Sequence, residues 1–134
     1  MWKYEQTTGR LYDPEGNLKA TGYAGGNCGK NPEGINNHAM QDCHDIGPLP
    51  VGLYTFGKMV HPHPHLGPFA LQLIPDDGND MHGRSGFYMH GDTPIPGNAS
   101  KGCIIQPRPV RLECAQSEDR RLQVVAKVEN GEES

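Results

Sequence analysis

The sequence predicts a mainly β fold, a sandwich or barrel of short strands with one or two short helices. Short runs of alternating or β-branched apolar residues recur along the chain, and turn-forming residues separate them. The 18 Gly and 12 Pro are scattered rather than gathered in a low-complexity tract, which favours short elements and many turns. No linker-like stretch divides the 134 residues, so 1–134 is expected to be a single domain with a polar, frayed tail over 129–134.

Taken in order, Trp2 and Tyr4 alternate, Thr8 to Arg10 turn, Leu11 and Tyr12 resume, and Pro14 to Asn17 turn again, the pattern of two hairpins. From Tyr23 to Asp45 the chain is rich in Gly, Asn and His and sustains no period of two or 3.6. A long ordered loop with one helical turn near Asn36 to Gln41 is expected there. Pro48 and Pro50 exclude helix before Leu53, after which alternation and aromatic content predict a strand to His61. Phe69 to Ile74 predicts a second strand, Asp76 to Gly86 a polar loop, and Phe87 to His90 a third strand. Gly102 to Gln106 is strand-like, Pro109 to Arg121 is the one plausible helix, and Arg120 to Val128 is strand or helix end.

Twelve Lys and Arg against 16 Asp and Glu leave a net charge of -4, with no basic stripe interleaved with aromatics, which excludes a nucleic-acid partner. No stretch reaches the roughly 20 apolar residues of a membrane span, and the N-terminus lacks the basic start and apolar core of a signal peptide. A monomer exported by another route is expected.

Chemistry concentrates in Phe87 to Ile105, where a strand ends at His90 and a Ser100-Lys-Gly-Cys103 turn leads into the next strand. A hairpin-like return would bring Cys103 beside His90. A cysteine attacks as its thiolate, and an adjacent imidazole takes the thiol proton and delivers it to the leaving amine. Gly102 lets the backbone turn sharply, so that the N–H groups of Gly102 and Cys103 can converge on an oxyanion. The bland alternative makes Cys103 a small buried hydrophobe and His90 a satisfied strand residue. Arg84, just before the histidine strand, is a candidate for bidentate pairing with a substrate carboxylate, and a solvated loop charge is its alternative.

Other clusters compete. His61-Pro-His-Pro-His65 offers three imidazoles, and Cys28, His38, Cys43 and His44 offer a mixed zinc set, though neither has the usual ligand spacing. A Cys28–Cys43 disulfide, worth about 3 kcal/mol by loop closure, is an equal alternative. A Cys103–Cys114 bridge would abolish the nucleophile, so the enzyme reading requires Cys103 free when active. A zinc-dependent hydrolase using His61, His65 or His82 with an acidic partner is a second enzyme reading.

The His90-Gly91, Gly97, Ser100-Lys-Gly-Cys103-Ile104 pattern resembles the active-site signature of the L,D-transpeptidase catalytic domain, in which Ser-His-Gly-Cys precedes an apolar strand. Upstream, Gly47-Pro-Leu-Pro-Val-Gly-Leu-Tyr54 resembles that family's approach to a core strand, so about residues 20 to 110 are covered. Lys101 replaces the second histidine and the His90-to-Cys103 spacing is short. With Tyr23-Ala-Gly-Gly, Gly29-Lys-Asn and the Gly83-to-Gly91 block, this is more similar to a compact branch that includes antibacterial effectors delivered by type VI secretion. The resemblance implies an L,D-transpeptidase-like β-sandwich or barrel acting on peptidoglycan tetrapeptide stems, with Cys103 as nucleophile and His90 as base. It implies Gly91 and Ser100 as groups orienting the histidine, Gly102 in the oxyanion turn, and Arg84 and Lys101 toward substrate. It requires no cofactor and assigns no metal. It also implies action in the bacterial periplasm and a cognate immunity protein. A catalytically silent cell-wall-binding or phage-associated module is the alternative from another class.

Overall fold

The computed structural model describes residues 1–128, and the tail expectation for 129–134 lies outside the described residues. Nine strands form one mainly β sheet that curls into a nearly closed barrel. They are β1 (Trp2–Glu5), β2 (Arg10–Tyr12), β3 (Leu18–Thr21), β4 (Tyr23–Ala24), β5 (Gly52–Val60), β6 (Ala70–Pro75), β7 (Tyr88–His90), β8 (Ile104–Ile105) and β9 (Arg121–Val125). The sheet order is β3-β2-β1-β9-β5-β6-β7-β8-β4. The two N-terminal hairpins form as expected, β1 with β2 and β2 with β3.

Alternation fills the barrel. Trp2 and Tyr4 of β1, Tyr54 and Phe56 of β5, Leu71 and Leu73 of β6, Met89, Ile104, and Leu122 and Val124 of β9 are all buried in one core. Helix α1 (Arg108–Gln116) adds Val110 and Cys114 to that core and packs against β5, β6 and β7. The helix ends five residues before the expected limit of Arg121, and the C-terminal apolar run is strand β9. That run pairs parallel to β1 and antiparallel to β5, so it bridges the N-terminal hairpins to the rest of the sheet.

Closure depends on one glycine. β3 and β4 are consecutive in sequence yet lie at opposite edges of the sheet, with Gly22 between them. Gly22 N–H donates to Gly9 O at 2.8 Å, and Gln106 Nε2 donates to the same carbonyl at 3.0 Å. A side chain at Gly22 has no room, because its Cβ would overlap the carbonyl of Ile105 on β8. The Tyr23-to-Asp45 segment is ordered by three 3-10 turns, at Asn27–Gly29, Pro32–Gly34 and His38–Met40, the last lying within the expected helical turn.

Gly22→Ala is therefore expected to lower stability by about 1–3 kcal/mol through forced separation of the closing strands. Gly78→Ala, at a position with open space around it, is expected to stay within about 0.5 kcal/mol of the parent in the same denaturant titration.

Candidate active site

The strand carrying His90 and the strand that follows Cys103 are neighbours, but they run parallel, with Met89 opposite Ile104 and His90 opposite Ile105. The expected hairpin return is thus replaced by a crossover. Parallel neighbours need a connection of about a dozen residues, and Gly91 to Cys103 supplies one. Met89 and Ile104 point into the core, so Tyr88, His90 and Cys103 fall on the other face. There they line a cleft of about 630 Å³ together with Cys28, His63 and Lys101.

The crossover is held at both ends. Tyr23 Oη donates to Asp92 Oδ1 at 2.7 Å and accepts the Ala99 N–H at 3.0 Å, while Asp92 also accepts the N–H groups of Thr93 and Gly97. Ser100 is fully buried: its hydroxyl donates to Cys103 O at 2.6 Å and accepts from Gly25 N–H at 2.8 Å and Gly102 N–H at 3.0 Å. Ser100 therefore builds the turn that carries the cysteine and makes no hydrogen bond to His90. Its hydroxyl also occupies the Gly102 N–H, which corrects the expectation that this donor points at an oxyanion. Gly102 itself is required, since its φ is +135° and a Cβ there would lie 2.5 Å from Arg84 Nη2 and 2.8 Å from Phe87.

Arg84 is a buried brace. Its Nη1 donates to Gln41 O and Pro48 O, and its Nη2 to Gly47 O and Lys101 O, all within 3.0 Å. The guanidinium thereby ties the approach to β5 to the cysteine turn, and only Nε–H is left for the carboxylate expected from the sequence. Burial lowers its pKa, against the attraction of Asp45. Lys101 is exposed at the rim of the cleft.

His90 is 2% exposed, and its Nδ1 lies 3.0 Å from Gly91 O. A carbonyl partner places the proton on Nδ1 and leaves Nε2 with its lone pair. Burial lowers the His90 pKa, the Gly91 contact opposes this, and the nearby charge of Arg111 lowers it further, so the ring is neutral at pH 7. Arg111 was not legible as a site residue. It donates to Gln106 O, Pro68 O and Phe69 O, and it sits against Gly91, where a Cβ would come within 2.9 Å of its Nη2. The Cys103 thiol is pushed up to about 11 by burial, while the Tyr88 N–H at 3.3 Å from Sγ and the Arg84 charge oppose that rise. The resting pair is a thiol and a neutral imidazole. The thiol lies 3.9 Å from Gly86 O, its weak acceptor.

The competing clusters do not assemble. Among the described residues no three His, Cys, Asp or Glu side chains are grouped to hold a metal. His61 stacks on Phe69, His38 Nδ1 pairs with Gln6 Oε1, and His44 Nε2 contacts His82 O. All four cysteines are free, so neither the Cys28–Cys43 nor the Cys103–Cys114 bridge is formed. Cys28 instead reaches the cleft, its N–H donating to Ser100 O at 3.0 Å.

Arg84→Lys is expected to cost about 2–3 kcal/mol, because one ammonium cannot serve four carbonyls and leaves buried acceptors without donors. Denaturant titration measures it, with an unchanged m-value expected.

Residues 21–130 match the family described as the Tlde1 domain. No curated protein and no solved structure matches the chain. Among the described residues no helix is long and apolar enough to cross a membrane. The family match spans most of the chain, and the chain belongs to the Tlde1 domain family, the L,D-transpeptidase-like effectors of type VI secretion.

Proposed function

We propose that this chain is a cysteine enzyme that breaks the L,D bond of peptidoglycan tetrapeptide stems through a thioester on Cys103. The observation that carries this reading is the shared cleft face of Cys103 and a neutral His90, fixed by the β7–β8 register, in a member of a peptidoglycan-directed effector family. The bond attacked joins the L-centre of the third residue to the terminal D-alanine.

In the first half-reaction the thiol turns from Gly86 O toward His90. His90 Nε2 takes its proton as Sγ attacks the carbonyl carbon. Gly91 O holds the Nδ1 proton, keeping Nε2 free and stabilising the imidazolium that forms. With Gly102 N–H occupied, the oxyanion falls to the backbone N–H of Cys103, in a turn kept rigid by Ser100. The tetrahedral adduct collapses, the C–N bond breaks, and the imidazolium gives its proton to the departing D-alanine amine. In the second half-reaction water, activated by the neutral His90, gives the carboxypeptidase product. An amine in place of water gives a transpeptidase or D-amino-acid exchange product. Lys101 at the rim attracts the carboxylates of the stem, and Arg84 acts chiefly by holding the cysteine turn in place. Delivery into the periplasm of a target cell brings the cleft to its substrate, and an immunity protein covering that cleft would protect a producer.

Mass spectrometry of tetrapeptide muropeptides, with and without added D-amino acid, tests this. Wild type releases or exchanges D-alanine, Cys103→Ala does neither, and His90→Ala falls by about 10²- to 10⁴-fold. Unchanged muropeptides with folded wild-type protein would sink the reading in favour of a silent binding module. Chelator sensitivity without thiol-reagent sensitivity would favour the zinc hydrolase.

The pH profile follows from the same pair. His90 must be neutral and Cys103 protonated at the start. The acid limb of kcat/KM is therefore expected below the ordinary imidazole value of about 6.5. Activity then holds through pH 9, because the thiol titrates only near about 11. A bell centred near neutrality, with a thiolate visible by ultraviolet absorbance at pH 7, would instead show an ion pair at rest. The sign for stability agrees: the folded state disfavours the charged ring, so protonation below about pH 6.5 favours unfolding. Melting curves at each pH separate that loss from the catalytic limb.

A further inference from the structure

A second histidine stands in the same cleft. His63 lies on a tight turn closed by two hydrogen bonds with Gly67, His63 N–H to Gly67 O at 2.8 Å and Gly67 N–H to His63 O at 3.1 Å. Inside that turn the N–H groups of His65 and Leu66 donate to His63 Nδ1 at 3.1 and 3.2 Å. A ring nitrogen that accepts two backbone N–H groups carries no proton, so the neutral ring holds its hydrogen on Nε2. The ring is further held edge-on to Tyr88, with centroids 4.9 Å apart, on the face that carries His90 and Cys103. It is near enough to His90 that a charge on His63 would disfavour a charge on His90.

The tautomers of the two histidines are thus opposite. His90 is held as an acceptor toward the cleft and His63 as a donor, with no acceptor for Nε2–H among the described residues. Arg84, the other strong donor lining the cleft, has four of its five N–H groups occupied by carbonyls. His63 Nε2–H and the Lys101 ammonium are donors of the cleft for an anion, alongside Arg84 Nε–H and the side chains of His44, His65, Ser85 and Tyr88, while Asp45 adds a negative charge to the lining.

We propose that His63 is a specificity-determining residue whose Nε2–H binds the carboxylate of the terminal D-amino acid, with Lys101 as the second, charged contact. The assignment rests on the L,D-acyl-transfer reading above and deepens it. Cleavage next to a chain end requires a group that recognises the end. In the exchange reaction the incoming D-amino acid presents the same carboxylate beside its amine, so one subsite orients both the leaving group and the acceptor.

The test uses two substrates, a tetrapeptide stem ending in D-alanine and the same stem ending in D-alaninamide. It is run on His63→Asn and His63→Ala. Asn retains an acceptor for the turn's N–H groups, as in an Asx turn, but cannot place a donor where Nε2 stands. In the Cys103→Ala background, calorimetric binding of the acid is expected to weaken by about 10- to 100-fold on His63→Asn, with binding of the amide unchanged. In the Cys103-intact protein the same factor is expected in KM for the acid, with kcat changed far less. Equal losses on acid and amide, or no loss on either, would overturn the carboxylate assignment. Absence of D-alanine release from the acid stem and of D-alaninamide release from the amide stem by wild type overturns the acyl-transfer reading instead, and the binding comparison still decides the subsite. A loss with His63→Ala that His63→Asn restores in full would show that the histidine serves only the turn, and would likewise overturn the proposal.

Discussion

The parallel pairing of β7 with β8 is the constraint on which the rest of the site depends. Opposing Met89 to Ile104 sends both into the core and leaves His90 and Cys103 on the cleft face. Because side chains alternate with a period of two, a slip of one residue would place Cys103 in the core and leave His90 in the cleft. The packing of Met89 and Ile104 therefore fixes the placement of His90 and Cys103 as much as any polar contact does. The barrel supports that register from outside, since β8 is also clasped by β4, with Tyr23 opposite Ile105 and Ala24 opposite Ile104. β4 reaches β8 only because Gly22 tolerates contact with the Ile105 carbonyl.

Burial then sets the protonation states. Desolvation lifts the Cys103 thiol to about 11 and lowers the buried imidazole, so both partners rest uncharged. Cys103 is therefore overwhelmingly the thiol at neutral pH. Thiolate character governs oxidation as well as attack, so a cysteine held as the thiol is guarded against oxidation. This differs from a helix N-terminus or an imidazolium neighbour, which would charge the sulfur permanently.

Much of this was legible in the sequence, because strands that fill a barrel must alternate and turns need their glycines and prolines. Trp2 and Tyr4, the hairpin turns, the Leu53 and Phe69 strands and the His90 strand all follow from local pattern. What local pattern does not carry is direction. His90 and Cys103 are read equally well as the ends of a hairpin or of a crossover, and only β4, more than sixty residues upstream of His90, makes the parallel choice complete. The same holds for Arg84. A lone arginine before a histidine strand suits a ligand clamp, and nothing nearby in sequence announces that the carbonyls of Gln41, Gly47, Pro48 and Lys101 converge on it. His63 was visible as a member of a His-Pro repeat, but its donor tautomer arises from a turn whose closure no local sequence pattern announces.

The Gly- and Asn-rich stretch from Tyr23 to Asp45 shows why an aperiodic sequence can still be a precise wall. Its short turns are closed by hydrogen bonds along itself, such as Asn31 N–H to Gly26 O and Met40 N–H to Asn37 O, and three more bonds tie it and the chain just beyond it to the cysteine turn: Gly25 N–H to Ser100 Oγ, Cys28 N–H to Ser100 O and Leu49 N–H to Gly102 O. The loop itself packs main chain on main chain, since the glycines at 25, 34 and 47 have no space for a Cβ against the backbone of Gly34, Ile46 and Met40 respectively. An oxyanion donor works only if it is already aimed when charge develops, because any reorganisation at that moment subtracts from the rate. The turn at Ser100 to Cys103 is short and has no helix or long strand to stiffen it. Its preorganisation is supplied by this loop from one side and by the Arg84 guanidinium from the other, so the residues that look least structured in the sequence hold Cys103 in place.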